Sequence, residues 1–503
     1  MSKSLRVSVV FAGLVIMVLG LSQVAFGGSF LAQVQDPATS NPETSKTKSQ
    51  KKSKKRRKKT STSRFVILGT YTPQTVSQPV QTDVSNTNIN LAPVAAQTTS
   101  KQVVRSAKTP TVHILPNEEP TINVASAGQL VISEFRVRGA NGANDEFIEI
   151  YNASGADHTV ASLSGSGYGI AASDGTTRCS IPNGTVIPNR GHYLCVNSVG
   201  YSLASYPAGN GTTATGDATY TTDIPDNAGI ALFNNNTGGG SYILANRLDA
   251  VGSTSEANAL YKEGTGYPAI TAFSIDYSFY RDNCGKSGSI TTFGGCSIST
   301  PKDTDNNAAD FIFVDTNGTS AGAGQRLGAP GPENLSSPIQ RNASFAVDFL
   351  DTCVGGASPP NRVRDFTSDP ANNSTFGTLD IRRTITNQTG GNVTRLRWRV
   401  IDLTTFPAPS GIADLRPRTS NAVVVTVDRP PCGSGTSNVT VQGTALEQPP
   451  SQLNGGGFNS SMSSGTVTLA TPLANGAALD LRFLLGIQQT GSFKFYLNVE
   501  ALP

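Results

Sequence analysis

The chain has 503 residues, of which only 15% are charged; it carries 51 glycines but just three histidines, three methionines and one tryptophan. A length of this order holds two or three domains, and the low charge and high glycine point to a β-rich, loop-rich chain with few residues to spare for metal or nucleophile chemistry. The formal net charge of +4 conceals an asymmetry: residues 1–64 carry 13 Lys and Arg against 2 Asp and Glu, and the remainder carries 26 against 33, so a basic tail precedes a mildly acidic body.

Residues 1–27 read as a secretory signal. Lys3 and Arg6 form a positive start, residues 7–26 are apolar, and Ala25-Phe26-Gly27 places small residues where a signal peptidase cuts. The apolar run is also long enough to span a bilayer, so a retained membrane anchor is the alternative; no second run of that length follows. Residues 28–127 are rich in Thr, Ser, Gln, Pro and Lys, have no sustained apolar periodicity, and are expected to be a disordered linker. Within them lie Lys51, Lys52, Lys54, Lys55, Arg56, Arg57, Lys58 and Lys59. In an exported chain this run reads as a solvated tether that touches polyanions, or as a plain spacer. No aromatic residue is interleaved with it, so base stacking is not indicated.

Residues 128–332 form the first expected domain. In its opening strand Val131, Phe135 and Val137 are expected on one face, with Glu134 and Arg136 on the other. A Gly/Asn turn leads to a second run, with Ile148 and Ile150 on one face and Phe147, Glu149 and Tyr151 on the opposite one. Further strands are expected at 168–172, 192–197, 229–234, 246–251, 277–281 and 310–314, separated by turn signals such as Asn183-Gly184 and Asn317-Gly318. Frequent turns between short strands predict an antiparallel sandwich. The connections 198–225 and 252–272 are long, and surface loops are where binding usually resides.

Several blocks in this region, in order, resemble the lamin-tail domain family: Ile132-Ser133-Glu134-Phe135, Gly142-Ala143-Asn144-Asp145-Glu146-Phe147-Ile148-Glu149-Ile150-Tyr151-Asn152, Gly191-His192-Tyr193-Leu194, Asp226-Asn227-Ala228-Gly229-Ile230-Ala231-Leu232 and Arg247-Leu248-Asp249-Ala250-Val251-Gly252. The resemblance spans residues 129–332. It implies an immunoglobulin-like β-sandwich found in exported bacterial proteins, a structural or binding module with no catalytic set.

Residues 333–503 form the second expected domain, after a joint at Ala329-Pro330-Gly331-Pro332. Phe345, Val347 and Phe349 alternate with small or acidic neighbours. Leu396, Trp398 and Val400 alternate with Arg395, Arg397 and Arg399; runs at 423–427, 479–485 and 493–499 follow the same period of two. The expected fold class is therefore all-β, two immunoglobulin-like antiparallel β-sandwiches after a signal and a basic linker.

Six cysteines and no CxxC pair suit disulfides in an exported chain. Six can pair in 15 ways; sequence neighbourhood favours Cys179–Cys195, tying adjacent strands, with Cys284–Cys296 and Cys353–Cys432. Asp303, Asp305 and Asn307 match the first three ligand positions of an EF-hand, but Ala308 and Val314 stand where Gly and Glu are required, leaving at most a looser calcium site among oxygens. The carboxylates Glu134, Asp145, Glu146 and Glu149 read as structural rather than as a glycosidase pair, and His192 with Cys195 as no nucleophilic dyad, being three residues apart on one strand. The arginine row needs either cross-strand acids or an anionic partner.

These residues predict an exported, non-catalytic surface or extracellular protein that binds or scaffolds. Its expected partner is an anionic envelope polymer, glycan or protein, with nucleic acid not expected if the chain is exported and membrane contact only through an uncleaved first segment. The alternatives are an accessory module that targets a hydrolase to nucleic acid, glycan or envelope polymer, and a divergent glycoside hydrolase.

Overall fold

The computed structural model describes residues 124–162, 164–206, 214–270, 275–283, 301–318, 326–447, 449 and 453–503. The expected signal, the basic run, His113 and the pair Cys284 and Cys296 lie outside these residues. No helix among the described residues is long and apolar enough to cross a membrane.

The fold is all-β and of sandwich type. The first sandwich pairs a seven-stranded with a four-stranded sheet. The larger sheet runs, edge to edge, through Arg326–Leu327, Phe311–Asp315, Tyr277–Arg281, Leu130–Arg136, Phe147–Asn152, His192–Asn197 and Ala218–Tyr220. The smaller runs through Arg247–Val251, Ile230–Phe233, Gly167–Ala172 and Thr177–Pro182. Interior pairs are antiparallel, but both edge strands of the larger sheet pair in parallel with their neighbours. For Ala218–Tyr220 the long connection 198–217 supplies the crossover that a parallel neighbour needs. Between the sheets lies a core that includes Ile148, Ile150, Ile170, Leu232, Phe279 and Phe313.

One expectation about the opening strand fails. Leu130 and Ile132, rather than Val131, join Phe135 and Val137 in the core. The cause is a bulge between Ile132 and Glu134 in the pairing with Phe147–Asn152. An extra residue resets which side chains face inward, and here it turns Ser133 and Glu134 together onto the outward side. The packed part of the chain also starts before residue 128, since Ala125 is buried and Val124 packs against the same core.

The second sandwich uses two five-stranded sheets. One contains Ile339–Gln340, Phe495–Leu502, Arg395–Leu403, Ser461–Ser463 and Ala445–Glu447; the other is centred on Thr378–Asn387 and Ala478–Gln489. Trp398 is fully buried between them, with its ring edge-on to Phe483 at 5.3 Å. Two small two-stranded sheets, His158–Thr159 with Val186–Ile187 and Val423–Asp428 with Thr436–Val441, complete the described strands, and no sheet mixes strands from Leu130 to Leu327 with strands from Ile339 onward.

Two disulfides are present among the described residues, Cys179–Cys195 and Cys353–Cys432. The first does not tie adjacent strands as expected. Cys179 lies in the four-stranded sheet and Cys195 in the seven-stranded sheet, so the bond crosses the core and fixes one sheet to the other. Cys353–Cys432 links surface loops 79 residues apart in sequence. Thiol–disulfide exchange requires access to sulfur. Mild reduction of the native protein, followed by alkylation and peptide mapping, is therefore expected to label Cys353 and Cys432 well before Cys179 and Cys195; simultaneous labelling would contradict the crossing bond's burial. Replacing Cys179 and Cys195 by alanine is expected to lower unfolding free energy by about 2–4 kcal/mol, measured in urea.

Candidate functional site at the meeting of the two sandwiches

The outward face of the seven-stranded sheet meets the outward face of the sheet containing Arg395–Leu403. Both faces carry charge, and both are buried. On the first, Glu134 and Glu149 stand directly opposite each other across neighbouring strands, as do Tyr151 and His192. On the second, Arg397 stands opposite Glu500, and Arg399 opposite Asn498. Glu333, one residue after the Pro-Gly-Pro joint, enters between the faces. All of these except Asn498 are charged or ionisable, and each is less than one tenth exposed.

Contacts bind the faces together. Arg397 forms ion pairs with both Glu333 and Glu500. Arg399 Nη2 lies 3.2 Å from Glu333 and its Nε 3.2 Å from Glu500. Arg399 Nη1 also donates to the carbonyls of Gly331 and Asn459. Glu134 Oε2 accepts from Asn459 Nδ2 at 2.9 Å, and its Oε1 from the Gly331 N–H at 2.9 Å. Glu149 accepts from the Ser133 hydroxyl and, at 2.6 Å, from the Glu333 N–H. Gly331 has no room for a side chain here: a Cβ would stand 1.9 Å from Arg399 Nη1. A cavity of about 50 Å³ remains, lined by Glu134, Glu149, His192, Glu333, Arg399 and Glu500 among others. That space fits a water or two and is well below the several hundred Å³ of ligand sites.

Electrostatics follow from burial and pairing. Burial pushes the Glu134 carboxyl up, and that of Glu149 well up, where the facing Glu134 adds like-charge repulsion. Burial also works against charge on Glu500, but Arg397 and Arg399 outweigh it and hold that carboxyl below the ordinary range. His192 is pushed down to about 3 by burial, against the pull of Glu500, so it is neutral at ordinary pH. Its Nε2 lies 3.7 Å from Glu149 and 3.5 Å from Glu333. These three side chains converge as metal ligands would, yet each oxygen of both carboxylates already meets a donor or a guanidinium. The arrangement is an ionic joint.

The sequence expectations fare unevenly. The cross-strand Glu500, with Glu333 from the joint, neutralises Arg397 and Arg399, and this corrects their assignment as polyanion-binding residues: both are buried and already paired. Arg395 is half-buried, opposite Leu502. The Asp303, Asp305 and Asn307 set does not converge. Asn307 is buried and spends its amide on the backbone of Ala250, Gly252 and Glu263, Asp305 is exposed with φ of 54°, and Asp303 turns to Arg281 at 3.3 Å. Cys195 is disulfide-bonded, so it is no nucleophile for His192. Glu134, Asp145, Glu146 and Glu149 are all buried and hydrogen-bonded. Sequence reasoning missed Glu333 and Glu500. A signal existed for Glu500, a lone acid alternating with Phe495, Leu497 and Val499 on the closing strand; Glu333 had none beyond its place at the joint.

No family model, curated protein or solved structure matches this chain.

Two predictions come from the joint. Glu500→Ala leaves two buried guanidinium groups to share the single carboxylate of Glu333 and is expected to cost about 3–5 kcal/mol of stability in urea unfolding; a loss under about 1 kcal/mol would contradict the joint. The second concerns pH. The Glu149 carboxyl is raised in the fold, so its contribution to stability is complete below the unfolded value near 4.5 and is lost as pH rises through the folded value. His192 is depressed, so its contribution is present above 6.5 and lost as pH falls toward 3. Against wild type, Glu149→Gln is expected to gain Tm progressively from pH 5 to pH 9; a constant difference across that range would show that Glu149 is as ionised in the fold as in the unfolded chain and that its carboxyl is not raised.

Proposed function

We propose that this protein is an exported, non-catalytic binding or scaffolding component of the cell exterior, with a lamin-tail-like first sandwich. The observation that carries this reading is the closed ionic joint. The ionisable groups gathered where the two sandwiches meet are engaged with one another around a space for water, which suits a part that holds two sandwiches in fixed register for display. The disulfides suit an oxidising compartment. With Arg397 and Arg399 buried, the cationic candidates for an anionic envelope polymer are Lys51, Lys52, Lys54, Lys55, Arg56, Arg57, Lys58 and Lys59, whose charge density attracts polyanions in a salt-dependent manner.

The test uses chain 28–503 and a variant with those eight residues replaced by glutamine. Both are assayed for binding to an acidic polysaccharide over a salt series and for turnover of the same polymer. The parent is expected to bind, with affinity falling steeply as salt rises, and the variant to lose most of that affinity. Equal binding by parent and variant would remove the tether from the reading, and release of polymer fragments by the parent would overturn the non-catalytic assignment.

A further inference from the structure

A second group of carboxylates lies at the edge of the first sandwich, outside the joint. Asp249 comes from the strand Arg247–Val251, Glu263 from the segment after the short 3-10 turn Ala259–Tyr261, and Asp303 from the loop before Phe311–Asp315. One carboxylate oxygen of each lies within 4.8 Å of the others. Asp249 and Glu263 are buried, and Asp303 opens to solvent.

The positions of the surrounding donors matter most. Asp249 Oδ2 accepts from the Ile132 N–H and from Arg281 Nη2, both at 2.6 Å. Glu263 Oε1 accepts from Arg247 Nη2 at 3.2 Å. The other oxygen of each, Asp249 Oδ1 and Glu263 Oε2, is buried without a hydrogen-bond partner among the described residues. The arginines and the Ile132 N–H thus hold one oxygen of each carboxylate and leave the other two buried, with no donor except a proton shared between the two carboxyls, beside the partly exposed Asp303. Bare buried acceptors are costly, and native proteins seldom leave them so. Charge argues in the same direction. Asp249, Glu263, Asp303 and Asp310 face Arg281 and Arg247, an excess of two negative charges when all four are ionised; with no cation there, burial and the neighbouring Asp249 push Glu263 up to about 9.

We infer that Asp249, Glu263 and Asp303 bind a calcium ion. All three donors are hard oxygens, and ligand oxygens around one calcium ion lie no more than about 4.6–5.2 Å apart, a limit compatible with three oxygens that all lie within 4.8 Å of one another. Two ligands sit on irregular segments, which suits calcium's tolerant geometry better than magnesium's near-ideal octahedron. The exposed side of Asp303 provides the route in and the place for water ligands. The joint cluster of Glu149, His192 and Glu333 makes the contrast: there every carboxylate oxygen has its donor or guanidinium and nothing is left for a metal. Asp303 alone survives from the EF-hand-like spacing, while the other two ligands lie 40 and 54 residues upstream.

The experiment is calorimetric titration of chelator-treated chain 28–503 with calcium chloride, and Tm with calcium against EGTA. One site is expected, with a dissociation constant in the range of about 10⁻⁴–10⁻³ M typical of extracellular modules, and a Tm that climbs with calcium concentration. Glu263→Gln is expected to weaken binding at least tenfold while leaving Tm in EGTA equal or higher, because it removes a buried carboxyl that faces Asp249. Asp305→Asn is expected to bind as wild type does. Absence of heat and of a Tm shift at 10 mM calcium would overturn the site, and would leave Asp249 and Glu263 sharing a proton. Unchanged affinity in Glu263→Gln would overturn the ligand assignment. Neither result depends on whether the chain binds an envelope polymer.

Discussion

Two β-sheets that each bury their outward face have no solvent side left on which to place charge. That constraint governs the described part of this protein. An antiparallel sheet ordinarily keeps one face wet, and its sequence alternates accordingly. Here the alternation is present in both central sheets, but the polar half of each pattern is turned toward the other sandwich. Charges that read as solvated in isolation must therefore be neutralised by partners from far along the chain. Glu134 meets Asn459 across 325 residues of sequence, and Arg397 meets Glu333 across 64. Glu333 and Glu500 together face two guanidiniums, while Glu134 and Glu149, for which no arginine is left over, take donors from an amide side chain, a hydroxyl and the backbone of the joint itself.

Local backbone devices make the fit possible. The bulge after Ile132 keeps Leu130, Ile132, Phe135 and Val137 all in one core while setting Ser133 and Glu134 side by side on the opposite face. Without the extra residue the register would send one half of the strand's apolar residues outward. The linker acts in the same spirit. Gly331 brings its N–H to Glu134 and its carbonyl to Arg399, a double contact that any side chain would block. The segment that connects the sandwiches is thus part of the joint, and the disulfide between Cys179 and Cys195 stiffens the sheet that presents its first half.

Much of the strand framework was legible from period-two alternation. The runs at 168–172, 192–197, 277–281 and 395–400 appear as strands almost where expected, because β-branched and aromatic residues there alternate cleanly between turn signals. Thr378–Asn387, the strand at the centre of its sheet, was missed. Leu379, Ile381 and Ile385 do face the core, but Arg383 interrupts their period and threonines fill the gaps. Thr436–Val441 was missed because it is polar and mostly exposed; only Val439 and Val441, at its end, join a small core with Leu350, Val425 and Val427. The arginine row illustrates the deeper limit. Sequence shows that a face is charged; it does not show whether that face looks at water or at another sheet, since this depends on contacts between residues hundreds of positions apart. The Asp303 spacing failed for a related reason: Asn307 sits at the right interval, but its amide is worth more as a bridge among the backbones of Ala250, Gly252 and Glu263 than as a ligand.

The two carboxylate clusters differ in a way that says what buried charge does in this fold. At the joint, donors arrive from strands and from a fixed linker, so every acceptor is met and removal of any partner leaves an opposite charge alone in a low-dielectric setting. Replacing such a network wholesale with apolar side chains often costs nothing, so its worth lies less in affinity than in selectivity. Two flat apolar faces could slide past one another by a residue or rotate, whereas Arg397 and Arg399 against Glu333 and Glu500 admit one register. At the sandwich edge, two arginines and the Ile132 N–H reach only one oxygen of Asp249 or of Glu263, and although Asp249 sits on a strand, Glu263 and Asp303 lie on connecting segments. There the geometry is incomplete without a further cation. A protein whose described part consists of strands and short turns thus keeps its exact docking where the backbone is regular, and its unsatisfied valence where the backbone is free to adapt.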